Sequence, residues 1–171
     1  NIWAGADANE GEYDGFTALL AADASVVDVV GTTITAANVI EELGKVVDAI
    51  PAALYGKEDL YIYVSQHIAR SYVRALGGFG ANGLGANGVN NAGTTWFNGG
   101  DLAFDGVKLF VASGMPTNDM VAAQKSNLFF GTGLLSDHQE VKLLDMADLD
   151  GSQNVRVVMR FTAGVQIGIG A

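Results

Sequence analysis

The sequence predicts an α+β domain, a mixed central sheet with packed helices. Apolar residues recur at helical spacing through 35–50 and again through 66–76, and strands of β-branched and aromatic residues stand at 60–64 and 107–111. Helices and strands follow one another in mixed rather than strictly alternating order, which favours a partly antiparallel sheet. A chain of 171 residues fits a single domain spanning 1–171, and a domain of that length buries roughly 70% of the surface its unfolded chain exposes.

The opening segment, 1–34, is rich in Ala, Gly and Asp and only weakly periodic, with a short apolar run at Phe16–Leu20 and a strand expected over Val26–Val30. Thr35 then stands as N-cap of a helix whose apolar residues Val39, Ile40, Leu43, Val46, Val47 and Ile50 fall on one face. Glu41 and Lys45 add an i,i+4 pair, and Pro51 ends the helix near Ile50 by excluding helical geometry at the residue before it. Leu60-Tyr61-Ile62-Tyr63-Val64 reads as a strand buried on both faces. Ser65 caps a second helix, Gln66 to Leu76, carrying Ile68, Tyr72, Val73 and Leu76 on one side and closed by Gly77-Gly78.

Residues 77–100 hold nine glycines and five asparagines, so a mobile loop or loose hairpin is expected there. Val107, Leu109 and Val111 alternate with Lys108 and Phe110 in a strand stopped by Gly114-Met115-Pro116. Asn118 or Asp119 is expected to cap a short helical turn through Ala123. Near the end, Val155, Val157, Met159 and Phe161 take one parity and Arg156, Val158 and Arg160 the other, as in a half-buried strand.

Composition narrows the function. The net charge of −10, from 19 acidic against 9 basic side chains, opposes approach to a phosphate backbone, so direct nucleic-acid binding is not expected. The arginine pairs Arg70/Arg74 and Arg156/Arg160 are expected to meet local carboxylates instead. With 49% hydrophobic residues but no apolar run approaching the ~20 needed to cross a bilayer, the chain reads as globular, with no membrane partner. It has no cysteine, hence no disulfide and no thiolate metal site. Starting at Asn1 rather than Met, it is expected to be a processed product, a fragment or an excised domain.

Two G-x-G-x-x-G matches overlap at 78–88, but a dinucleotide fingerprint needs a strand before the glycines and a helix after them, and here a helix enters and none follows. Asp145, Asp148 and Asp150 before Gly151 lack the spacing of a calcium loop and read as a solvated turn. His67 and His138 have no histidine partner at metal-binding spacing. Ser65 beside His67 is better explained as a helix cap than as a nucleophile, and Asp137-His138 falls in a polar turn. Tyr61, Tyr63, Phe129 and Phe130 read as core or subunit-interface residues. No catalytic residue, cofactor, metal or small-molecule substrate is expected, and the chain reads as a non-enzyme.

The helix TAANVIEELGKVVDAIP, the strand and helix LYIYVSQHIARSYVRAL, the strand FDGVKLFVASGMP and the tail SNLFFGTGLLSDHQEV through RFTAGVQIG, in that order and spacing, cover nearly the whole chain. Together they resemble the major capsid proteins of tailed bacteriophages with the Hong Kong 97-type fold, specifically the axial domain and closing strands. The resemblance implies an axial-domain-like core over 35–171, with the 77–100 loop lying toward the capsomer axis and the closing strand returning to a peripheral domain. In that setting Gly80, Asn82, Gly83, Leu84, Gly85, Asn87, Trp96 and Phe97 form the candidate intersubunit loop. Self-association into pentameric and hexameric capsomers of an icosahedral head would follow, in a virion assembled in the bacterial host cytoplasm. The family's N-terminal arm, extended hairpin loop and spine helix all precede the region seen here, so these 171 residues alone are expected to be a monomer or weak oligomer. The alternative is a secreted or surface acidic, Gly-rich binding module with 77–100 as its ligand contact; a hydrolase using loop carboxylates is a third class.

Overall fold

The computed structural model describes residues 1–6, 12–76, 102–133, 141–147, 151, 153–159 and 162–169. Its centre is a four-stranded sheet built on β1, Leu60–Val64. β1 runs parallel to β3, Val107–Val111, with Ile62 opposite Leu109, and antiparallel to β4, Met120–Gln124, with Ile62 opposite Ala122. The short β2, Ala103–Phe104, pairs antiparallel with β3, giving the order β2-β3-β1-β4. The sheet is thus mixed, and the domain is α+β.

Parity along β1 divides the interior in two. Leu60, Ile62 and Val64 point to one face, where α2, Val39–Asp48, and α3, Gln66–Leu76, bring Val39, Leu43, Val47, Ile68 and Tyr72 against them. Tyr61 and Tyr63 point to the other, which is covered by Trp3, Phe16 and Leu20 and by Leu128, Val165 and Ile167. Phe16 and Leu20 come from α1, Phe16–Ala22. The last three come from a ribbon of β5, Leu128–Thr132, paired antiparallel with β8, Ala163–Ile167. A strand of alternating large residues with both faces covered is what the unbroken apolar run LYIYV demands. The predicted burial on both faces is observed, with only Tyr61 partly open.

Local chemistry sets the element ends. Asn38 Oδ1 accepts from the Thr35 amide at 2.7 Å and the Thr35 hydroxyl at 3.0 Å, and the Thr35 carbonyl takes the Val39 amide at 3.0 Å. α2 itself starts at Val39 with Asn38 in the N-cap position, so Thr35 is not the N-cap the sequence suggests but opens the turn that leads into the helix. Ser65 accepts the Ile68 amide at 3.3 Å, an N3 cap of α3, while its hydroxyl donates to Thr117 O at 2.6 Å. Between β2 and β3 only Asp105 and Gly106 intervene, at φ 45° and 78°. Positive φ at both positions is the type I′ hairpin, and the Asp-Gly pair is its sequence signal.

Four expectations are corrected. Residues 120–123 do not form a helical turn: they are β4, because the free edge of β1 offers backbone partners that outweigh the helical preference of Ala122 and Ala123. Asn118 caps nothing there and instead takes the Ile34 amide at 3.3 Å. The run Val26–Val30 joins no ladder, since no strand lies beside it to satisfy its backbone. Ile40 is 48% exposed, lying off the buried stripe of α2 set by Val39, Leu43 and Val47. Finally, among the described residues β7, Val155–Met159, pairs only with β6, Val141–Asp145, and Val155, Val157 and Met159 of its expected apolar face are exposed rather than in the core, Phe161 lying outside the described residues.

Candidate functional site

The residues expected to form the intersubunit loop, Gly80, Asn82, Gly83, Leu84, Gly85, Asn87, Trp96 and Phe97, lie outside the described residues, as do the glycine fingerprint at 78–88 and His138. The two stems of that segment are described. On one side α3 ends at Leu76, packed at the edge of the core; on the other, Leu102 is buried and its carbonyl accepts the Leu109 amide at 2.8 Å. The stems are tied to each other, for the Tyr72 hydroxyl donates to Ala103 O at 2.8 Å and its ring meets Phe104 edge-on with centroids 6.0 Å apart. Burial raises the Tyr72 phenol above its usual range and keeps it a neutral donor there.

Several titratable groups among the described residues are held by the fold. His67 Nε2 lies 3.0 Å from Ile34 O, tethering the opening segment to the start of α3. Ser65, beside it, caps α3 rather than facing the imidazole. Glu42 is only 3% exposed. Its Oε1 accepts from Lys45 Nζ at 2.9 Å and from the Thr32 hydroxyl at 2.9 Å, and these two donors, Lys45 first, hold the carboxyl below its ordinary range. Lys45 also reaches Glu41 at 3.4 Å, the expected i,i+4 pair. Asp59 accepts from Ser126 Oγ at 2.6 Å and Gln124 Nε2 at 2.9 Å, while Lys125 N–H donates to its backbone carbonyl at 2.8 Å. Its carboxyl is lowered chiefly by Ser126, so it pins the junction of β4 and β5. Asp145 takes the Ala147 amide at 3.0 Å, closing a turn. Among the described residues no three His, Cys, Asp or Glu converge to hold a metal ion. Arg70, Arg74 and Arg156 have no carboxylate at ion-pair distance among the described residues, and Arg160 lies outside them.

Several large apolar side chains stand open on the described surface. Tyr63 is core, its ring tilted against Trp3 with centroids 5.0 Å apart and meeting Phe110 edge-on at 5.7 Å, but Phe110 itself is half open. Phe129 and Phe130 on β5 are 54% and 53% exposed. On the β6–β7 ribbon the register places Val141 beside Met159 and Leu143 beside Val157, so one face is almost wholly apolar, and Leu143 is 71% exposed. Isolated two-stranded ribbons are marginal in water, and contiguous exposed apolar side chains mark surfaces made to be covered.

A groove of about 880 Å³ runs along β4 between Met120–Ala122 and residues 26–33, floored by Val46 and Ile50 of the α2 region. Asp23, Asp28, Glu42 and Asp119 line it and no basic residue does. These surfaces were not visible in the sequence, because an alternating strand looks alike whether or not a partner covers it. In comparisons with known proteins the chain matches no family model, no curated protein and no solved structure.

Proposed function

We propose that the chain is a structural subunit, the axial-domain part of a tailed-phage major capsid protein, that packs against copies of itself in the capsomers of an icosahedral head. The observation that carries this reading is the exposed apolar surface of the β6–β7 ribbon and of Phe129 and Phe130 on β5, which stands outside the two buried clusters of the described residues. A subunit of a repeating shell needs such a division: a self-sufficient core, and strands whose apolar sides wait for neighbours. The order of elements agrees with the resemblance in the sequence, and the Tyr72–Ala103 tie supplies a fixed base from which the segment 77–101 can be presented to a capsomer axis. The virion is then its location, copies of itself its partners, and assembly in the bacterial cytoplasm its route.

Electron microscopy of the full-length gene product tests this. Closed shells or five- and six-fold capsomers are expected. A secreted, monodisperse monomer that binds a ligand through 77–100 overturns the reading in favour of a binding module.

A further inference from the structure

We propose that the open edge of β4 and the groove beside it receive strand β7 of a second copy of this chain, with Arg156 of the incoming strand set among Asp23, Asp28 and Asp119. The inference deepens the structural-subunit reading and rests on it. Among the described residues β4 has β1 as its one sheet partner, so alternate residues along Met120–Gln124 turn their N–H and C=O groups to the unpaired edge, and Met120, Val121 and Ala122 line the groove. An exposed strand edge with room beside it is a template for an added strand, whose main-chain bonds give affinity while side chains on its two faces give selectivity.

Charge and polarity define the strand. The groove carries acidic residues and no basic residue in its lining, with Asp28 and Asp119 exposed and Glu42 already satisfied by Lys45. The occupant must therefore be extended, apolar on alternate residues and basic at the rim. β7 has that composition: Val155, Val157 and Met159 on one face, Arg156 on the other, exposed and without a carboxylate at ion-pair distance among the described residues. Among the described residues β6 is its one partner, which leaves its other edge unpaired there. Docking would extend the sheet across two molecules, in the order β2-β3-β1-β4 followed by β7 and β6 of the second copy.

A net charge of −10 makes most approaches between copies repulsive. A contact that brings Arg156 to the acidic groove is one of the few that escapes this, so the charge selects the pairing as well as the register. The interface is heterologous, groove to strand, and each copy keeps its own groove and strand available to further neighbours.

Sedimentation velocity of the 171-residue chain over a concentration series at low salt tests the proposal, with circular dichroism confirming that each variant is folded. Weak reversible association is expected. Arg156→Glu and Asp28→Lys should each weaken it at least about threefold, and R156E/D28K in one chain should restore it. A labelled peptide of residues 153–159 should bind the R156E chain, whose groove is intact, and lose affinity for D28K. The proposal is overturned if the chain stays monomeric at its solubility limit, if the double charge swap fails to restore association, or if the peptide does not bind. It is also overturned if a lysine-bearing strand peptide of unrelated sequence binds the groove while that of residues 153–159 does not, which would assign the site to a different protein. Failure of the charge swap with intact shells from the full-length product removes this contact and leaves the capsid reading standing. Absence of any shell or capsomer removes the capsid reading whatever the charge swap does.

Discussion

Glu42 occupies an apolar helix face because Thr32 and Lys45 meet it there, and this arrangement makes the fold sensitive to acid. Its carboxyl sits below the ordinary 4.5 and that of Asp59 below the ordinary 3.8, so both groups hold fewer protons folded than unfolded. Their contribution is fully present above those ordinary values and is lost as pH falls through the lower folded ones. Urea midpoints should therefore be flat from neutral pH to about 5, then decline, and Glu42→Gln should flatten the decline while lowering the neutral value. A decline in Glu42→Gln as steep as the parent's would show that Glu42 is not among the linked groups. Apolar residues divide as sharply by burial. Leu43→Ala, at a fully buried site, should cost about 2–5 kcal/mol in denaturant titrations. Ile40→Ala, three residues away on the open side of the same helix, should stay within about 0.5 kcal/mol.

At the scale of elements, α2, β1, α3 and β3 were legible because each carries its pattern locally: a helical stripe, capped by Ser65 in α3, or an apolar run bounded by polar turns, although the start of α2 falls at Val39 behind Asn38 and not behind Thr35. β4 was not, since MVAAQ becomes a strand only by lying along β1, and Val26–Val30 fails to become one for want of a neighbour. Tertiary partnership decided both, and one sequence does not display it. The 77–100 segment stood out by composition, whereas the groove and ribbon did not, because exposure depends on which elements come to cover them. Ser65→Ala should lower stability by about 1 kcal/mol through the lost cap, and by more if Thr117 O finds no new donor. Replacing Ala81 to Asn91 by a short Gly-Ser linker should leave the melting temperature nearly unchanged, since the stems are held by Tyr72 and Leu102. It should weaken capsomer formation in the full-length protein. A collapse of the melting temperature in calorimetry would place that segment in the core instead.

For the molecule as a whole, light scattering of the isolated chain should report a monomer or weak oligomer, and filter binding should detect no DNA retention at physiological salt, given the net charge of −10. Closed shells from these 171 residues, or salt-sensitive micromolar DNA binding, would contradict the two expectations respectively. Trp3 and Ile167 sit in the same cluster, on the side of the sheet opposite α2 and α3. Chains emerge from the ribosome at about 5–20 residues per second, beginning with the N-terminal part. The α2–β1–α3–β3 layer can therefore condense while later strands are still being made, whereas the cluster of Trp3, already lined by Phe16 and Tyr63, gains Ile167 only once β8 has been made. Birth order and assembly order run opposite on the two faces, so a nascent chain stalled before β8 should present this second face half-built.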